Sequence, residues 1–321
     1  MPTRRGRKGS FRYYDARGRE IRDSATIERF EKLAIPPAWK NVWIASNPRA
    51  KLQATGFDQA GRKQYRYHPD FRAAQEREKF ERLIRFGQRL PELRAAAAEH
   101  LDRPDLDRER VCAIAVRLID LGWFRVGNDR HTEISGTYGI TTLLKRHVSV
   151  LGNRVRLSFA GKGRARIRTS LVDDELAVAI AELLAVPGSR VFRYEREGEL
   201  SNLTSRTLNE YVKKYLGAEF TAKDFRTWGG TLLAAIAFAE RARAGRDGKG
   251  AITAVMRQVS ERLGNTPAVC RQSYVAPAVV DAYLEGRTLA DFRPRKLRIV
   301  GARQAGLEPE EVALLHLLNF G

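Results

Sequence analysis

The chain has 321 residues, enough for two domains, and its 43% hydrophobic content can build sizeable cores. Lys and Arg number 58 against 38 Asp and Glu, a formal charge of +20, which is the electrostatic footprint of a protein whose partner is made of phosphates. The basic residues run along the whole chain, interleaved with Tyr, Phe and Trp. A membrane-surface binder would concentrate them on one amphipathic helix or tail, so nucleic acid is favoured over an acidic bilayer.

The first ten residues are basic and contain Gly6 and Gly9, which predicts a mobile arm; their charge is followed by no apolar run, so they do not form a secretory signal. Phe11 to Arg22 reads as a β-hairpin about the turn Asp15-Ala16-Arg17-Gly18. A short helix spans about Ser24 to Leu33 and stops at Pro36-Pro37. Val42–Ala45, Leu52–Phe57 and Lys63–His68 read as strands, the last two joined by the turn Asp58-Gln59-Ala60-Gly61. From Phe71 to Leu101 the pattern turns helical, with a break expected at Pro91, and Arg108 to Phe124 is a strong helix with a wide apolar stripe. Lys145–Val150, Val155–Phe159 and Ala165–Arg168 alternate like three antiparallel strands, turning at Gly152-Asn153 and Gly161-Lys162-Gly163. Helices follow at about Asp173–Leu184, Ser205–Tyr215, Thr231–Ala244, Ala251–Leu263, Pro277–Glu285 and Pro309–Leu318. No stretch approaches the eighteen or so apolar residues of a membrane span. The expected class is α+β: a small β-rich N-terminal domain, residues 1–90, then a mainly α-helical domain, residues 91–321, containing a three-stranded sheet of β-hairpins.

The candidate chemistry is metal-free. Cys112 and Cys270 sit apart in apolar stretches and read as reduced thiols of a cytosolic protein, and neither the histidines nor the cysteines show metal-ligand spacing. The acidic residues read as helix starts and solvated faces, as in Asp173-Asp174-Glu175, and no Walker-type phosphate loop is present. A phosphate partner must then be met by Arg and Lys, bidentate where possible.

Four blocks stand out: Gly122-Trp123-Phe124-Arg125-Val126-Gly127-Asn128, Phe159-Ala160-Gly161-Lys162-Gly163, Lys223-Asp224-Phe225-Arg226-Thr227-Trp228-Gly229, and Leu263-Gly264-Asn265-Thr266-Pro267 leading to Tyr274. They resemble the signature blocks of type IB DNA topoisomerases, closest to the poxvirus and bacterial branch, in order and in spacing: 37 positions from Arg125 to Lys162 and 9 from Asn265 to Tyr274. A fifth block, from Gln53 through Arg62-Lys63-Gln64-Tyr65-Arg66-Tyr67 to Pro69, resembles the N-terminal DNA-clamping domain of the same branch. The resemblance spans about residues 35 to 290. It implies that Tyr274 is the nucleophile, that Arg125, Arg226 and Asn265 hold the phosphoryl oxygens, and that Lys162 protonates the departing 5′ oxygen. It further implies that Gln64, Tyr65, Tyr67, Arg62, Lys63 and Lys223 contact DNA. The activity implied is nicking of one strand through a 3′-phosphotyrosyl link, relaxation of both supercoil signs by strand rotation, and religation without ATP, metal or other cofactor. The partner implied is duplex DNA, bound by a monomer in the bacterial cytoplasm at the nucleoid.

Each residue also has a plain reading. Tyr274 taken alone is an ordinary tyrosine before a helix, Arg125 a helix-end cation, Arg226 a helix-start residue, and Lys162 a solvated turn lysine. Asn265 departs from the poxvirus and nuclear pattern, which has histidine there; asparagine keeps a neutral donor but cannot exchange a proton near neutral pH. Two other functions stay open. A tyrosine recombinase shares the nucleophile, but usually has histidine where this chain has Lys223, and usually a helical N-terminal domain. A non-catalytic DNA-binding protein is supported by Asn265 alone.

Overall fold

The computed structural model describes residues 1–7, 10–246, 248, 250–289 and 306–319. It divides into two compact units, Met1–Glu81 and Arg82–Gly321. The expected α+β class holds, with a β-rich beginning and a helical remainder that encloses a three-stranded antiparallel sheet.

In the first unit, β1 (Thr3–Arg5), β2 (Arg12–Tyr14), β3 (Lys40–Ile44), β4 (Leu52–Phe57) and β5 (Lys63–Tyr67) form one antiparallel sheet in the order β2-β1-β3-β4-β5. Helix α1 (Ser24–Lys32) starts where the Asp23 side chain accepts from the Thr26 N–H. It seats Phe30 in a core with Tyr13, Ile35, Val42, Ile44 and Ala54. The N-terminal arm expected to be mobile is ordered over residues 3–5, because β1 pairs with strands on both sides. The buried Arg4 guanidinium also donates to the carbonyls of Ile35 (2.9 Å), Pro36 (2.9 Å) and Trp39 (3.2 Å). No apolar pattern announces this strand; an arginine that finds three carbonyls does. Lys8 and Gly9, also in the expected arm, lie outside the described residues. The hairpin expected over Phe11–Arg22 reduces to β2 and a single bridge between Tyr14 and Glu20.

Helix α2 runs unbroken from Pro69 to Leu101 with Pro91 inside it. The break expected at Pro91 is absent: Leu90 and Leu93 beside it are fully buried, and their packing outweighs the missing hydrogen bond. In the second unit, α3 (Arg108–Gly122) is capped by Asp107 and ends at Trp123, whose left-handed backbone (φ 52°) turns the chain sharply. A short α4 (Asp129–Ser135) precedes the sheet β6 (Val148–Leu151), β7 (Arg154–Ala160) and β8 (Arg166–Val172), in the order β6-β7-β8. The rest is α5 (Asp174–Ala185), the hairpin β9 (Arg193–Arg196) and β10 (Glu199–Asn202), then α6 (Ser205–Leu216), α7 (Asp224–Arg243), α8 (Ala251–Leu263), α9 (Pro267–Ser273), α10 (Pro277–Leu284) and α11 (Pro309–Asn319). Helix α7 begins at Asp224, a full two turns before the start expected at Thr231. Its residues from Asp224 to Ala239 are all buried, so its first turns carry no polar face from which a helical period could be read.

A buried ionic network binds these helices. Arg94 of α2 donates to both carboxylate oxygens of Asp120 (2.8 and 3.1 Å) on α3 and of Glu311 (2.7 and 2.8 Å) on α11. Glu311 also accepts from the Trp228 indole (3.0 Å) of α7. The Arg94 guanidinium is desolvated but is held firmly charged by its two carboxylates.

Candidate active site

Helix α7 is the frame. Arg226 and Gly230, four residues apart, lie on one face of it. The buried Arg226 guanidinium donates to the Trp123 carbonyl at the end of α3 (2.5 Å) and to the Leu263 carbonyl at the end of α8 (2.7 Å). Both are helix-terminal carbonyls that lack an intrahelical partner, and the negative ends of two helix dipoles favour a cation there. Arg226 thus stands where three helices meet, and its Nε remains buried without a partner.

The same helix holds Tyr274. A Cβ on Gly230 would lie 2.6 Å from the Tyr274 carbonyl oxygen and 3.1 Å from its Cβ, so only glycine lets the tyrosine come this close. Thr231 then ties the backbone: its Oγ1 donates to the Tyr274 carbonyl (3.2 Å) and accepts from the Ala276 N–H (3.1 Å). Gly229 performs the matching service for Trp123, whose ring would be 2.4 Å from an added Cβ. Tyr274 itself follows α9, its N–H donating to the Cys270 carbonyl. Its ring centre is 5.1 Å from the Arg226 guanidinium carbon. Burial alone would raise the phenol pKa. The Arg226 charge and hydrogen bond, helped by the charges of Arg125 and Lys223, outweigh burial and hold it below the ordinary tyrosine value. Arg226 in turn is pushed down by its own burial and by Arg125, and supported by Tyr274.

Arg125 leaves α3 just after the Trp123 turn. Its guanidinium donates to the Gly264 carbonyl (3.4 Å from both terminal nitrogens) and to the Asn265 side-chain oxygen. Gly139 lets the chain pass close to the Arg125 backbone, since a Cβ there would lie 2.6 Å from the Arg125 carbonyl oxygen. Asn265 keeps its Nδ2 buried without a partner. Arg125, Arg226, Asn265 and Tyr274 are therefore gathered in one place, with Lys223 exposed at the mouth of α7. Lys162 stands exposed at the tip of the β7–β8 hairpin, and among the described residues it makes no hydrogen bond to the other four.

Arg262, missed in the sequence, borders a pocket of about 180 Å³ together with Arg125, Arg166, Arg168 and Arg226. Its position immediately before Leu263-Gly264-Asn265 was the available signal. Among the described residues no group of three His, Cys, Asp or Glu is placed to hold a metal ion, and no helix is long and apolar enough to cross a membrane.

In the first unit, β5 alternates: Lys63, Tyr65 and Tyr67 on one face, Gln64 and Arg66 on the other. Tyr65 and Tyr67 are exposed and stacked, 6.2 Å apart at 15°, and the Lys63 ammonium lies 5.8 Å over the Tyr65 ring. Arg62 and Gln64 are both tethered to Asp58, at 2.8 and 3.0 Å. The sequence placed Asp58 only in the turn between these strands, not as a tether for Arg62 and Gln64.

The model of the eukaryotic DNA topoisomerase I catalytic core matches residues 68–285, and that of the bacterial DNA topoisomerase IB N-terminal domain matches residues 10–58. The chain belongs to the type IB DNA topoisomerase family. A DNA topoisomerase 1B of Acanthamoeba polyphaga mimivirus is 34% identical over 85% of this chain and 84% of its own. DNA topoisomerase 1B of vaccinia virus, strain Copenhagen, is 21% identical over 81% and 82% respectively. DNA topoisomerase 1 beta of Arabidopsis thaliana is 24% identical over 53% of this chain but only 18% of its own. The first of these models spans Arg125, Lys162, Arg226, Asn265 and Tyr274, and the second spans β2, α1, β3 and β4.

Proposed function

We propose that this chain relaxes duplex DNA by transient cleavage of one strand, with Tyr274 as the nucleophile. The observation that carries the reading is the convergence of Arg125, Arg226 and Asn265 beside a tyrosine whose phenol is held below its ordinary pKa by Arg226, with help from Arg125 and Lys223. The Tyr274 oxygen bonds to phosphorus as the bond to the 5′ oxygen breaks. The tyrosyl ester conserves the energy of the broken linkage, so no ATP enters.

Charge builds on the non-bridging oxygens in the transition state. Arg125 and Arg226 meet it with guanidinium donors already fixed by helix-end carbonyls, which lowers the cost of reorganisation. In this conformation Arg125 rests on Asn265 and Gly264, and an incoming phosphate takes over those bonds. The unpaired Arg226 Nε and Asn265 Nδ2 are two further donors for it. Lys162, carried on the hairpin, supplies the proton to the 5′ oxygen. The duplex rotates about the intact strand, and the 5′ hydroxyl reverses the attack. We assign the N-terminal unit to holding the same duplex through the exposed face of β5, where Tyr65, Tyr67 and Lys63 offer aromatic and cationic contacts, with Arg62, Gln64 and Lys223 as further backbone contacts. The chain acts as a monomer in the bacterial cytoplasm.

The test is relaxation of positively and negatively supercoiled plasmid in the presence of a chelator. Both signs relax with the parent protein, and Tyr274→Phe abolishes the reaction while still binding DNA. Relaxation of negative supercoils only, or full activity of Tyr274→Phe, overturns the reading.

A further inference from the structure

Arg262 sits in the last turn of α8, between the carbonyl frame that fixes the arginines and the hairpin that carries Lys162. The residue after it, Leu263, gives its carbonyl to Arg226, and Gly264 gives its carbonyl to Arg125. The Arg262 guanidinium stacks 5.7 Å from the centre of the Trp123 ring, and Trp123 gives its carbonyl to Arg226 as well. On the opposite side, Arg262 Nη1 donates to Thr169 Oγ1 (3.3 Å) on β8. The hairpin rests on the same turn at a second point: a Cβ on Gly264 would lie 3.1 Å from Ile167 Cδ1. Thr169 pairs with Leu157 and Ile167 with Phe159, in a ladder that ends at the pair Ala160 and Arg166, just short of the turn that carries Lys162.

This arrangement is poor economy for stability alone. Arg262 is desolvated, and its Nε and Nη2 are buried without partners. Such donors cost stability, so a well-shaped apolar side chain here would be neutral or better for the fold. What the guanidinium does supply is a planar bridge with a stacking face for Trp123 and a directed donor for Thr169.

We propose that Arg262 is a positioning residue that fastens the β7–β8 hairpin to the carbonyl frame of Arg226 and so sets the reach of Lys162 to the departing 5′ oxygen. The inference rests on the reading of Lys162 as the proton donor. In that step the Tyr274 phenol, having given its proton to solvent, bonds through its oxygen to phosphorus as the phosphorus–O5′ bond breaks, and the proton of the Lys162 ammonium passes to the departing 5′ oxygen.

The test compares Arg262→Met, Thr169→Val and Lys162→Ala in single-turnover cleavage of a duplex whose cut position has been mapped. Each is assayed with the ordinary phosphodiester and with sulfur replacing the bridging 5′ oxygen. A thiolate departs without a proton, so a defect in proton delivery disappears on the sulfur substrate. Arg262→Met is expected to keep or raise the melting temperature and to cleave the oxygen substrate about ten- to a hundredfold more slowly, the scale of a misplaced catalytic group. It should approach the parent rate on the sulfur substrate, with Thr169→Val following the same pattern more weakly. Equal slowing of Arg262→Met on both substrates, no slowing on either, or a collapse of its melting temperature overturns the inference while leaving Lys162→Ala rescued. A Lys162→Ala variant that sulfur does not rescue overturns the proton-donor reading itself, and the inference with it.

Discussion

Tyr274 sits under two opposed influences. Burial favours the neutral phenol; the positive charges and the hydrogen bond around it favour the phenolate, and they win. Arg226 is the largest single source, so its removal has a signed consequence. In Arg226→Ala the phenol keeps its burial and loses its main cation, and its pKa rises. The rising limb of cleavage rate against pH should therefore move to higher pH, on top of an overall loss of about 10²- to 10³-fold from the missing transition-state charge. Single-turnover cleavage measured from neutral to alkaline pH checks both; an unshifted limb would mean that Arg226 does not tune the phenol. Of the residues at this scale, the arginines and the tyrosine could be picked from the sequence only by their likeness to a family pattern. Thr231 could not, because a hydroxyl that bridges two backbone groups leaves no mark in spacing, and Arg262 had only its place beside the Leu263-Gly264-Asn265 block, which says nothing of its stacking on an indole.

At the scale of elements, α7 does the organising. Its apolar length is plain in the sequence, but its first two turns are not, since every residue from Asp224 to Ala239 is buried and the pair Gly229-Gly230 reads as a helix breaker. Those glycines lower helix propensity and are present because Trp123 and the Tyr274 backbone press against them. Gly230→Ala is thus expected to run against propensity. Instead of the usual gain of about 1 kcal/mol for replacing a helical glycine, it should lower the melting temperature and slow cleavage by roughly tenfold or more through displacement of Tyr274. A thermal melt alongside the cleavage assay decides; a stabilised and fully active variant would show that the close approach is dispensable. Helices α4 and α9, seven residues each, are too short to display a helical period, and strands β9 and β10 do not alternate between buried and exposed positions, so these elements carried no local signal.

At the scale of the molecule, the buried His100 and the half-buried His147 make the helical unit sensitive to acid. His100 donates or accepts at 2.7 Å with the Tyr211 hydroxyl, and burial, aided by the Arg103 and Lys214 charges, holds its pKa below the ordinary value. Burial and Arg146 do the same to His147. The unfolded chain binds these protons near pH 6.5 while the folded one resists them, so stability is complete above about pH 6.5 and declines as the pH falls below it. Urea unfolding midpoints should drop between about pH 7.5 and 5.5, and His100→Gln, which retains a hydrogen-bonding side chain without the titration, should flatten that drop. A parent midpoint that stays constant over this range would refute the linkage.

The sequence by itself determined the charge and hence the class of partner, the α+β character, the long amphipathic helices and the three-stranded sheet. All of these follow from composition or from local periodicity, which each segment carries within itself. Resemblance, read from short blocks in order, pointed to the family. Only the tertiary structure decided that residues 3–5 form a strand, that Pro91 does not break α2, and that α7 starts two turns early. It alone also brought Arg125, Arg226, Asn265 and Tyr274 together around helix ends and made Arg262 the link between that frame and the Lys162 hairpin. The physical reason is common to all of these: each depends on partners distant in the chain. A buried arginine's carbonyls, a proline's packing neighbours and a glycine's close contact are properties of the fold, not of the segment.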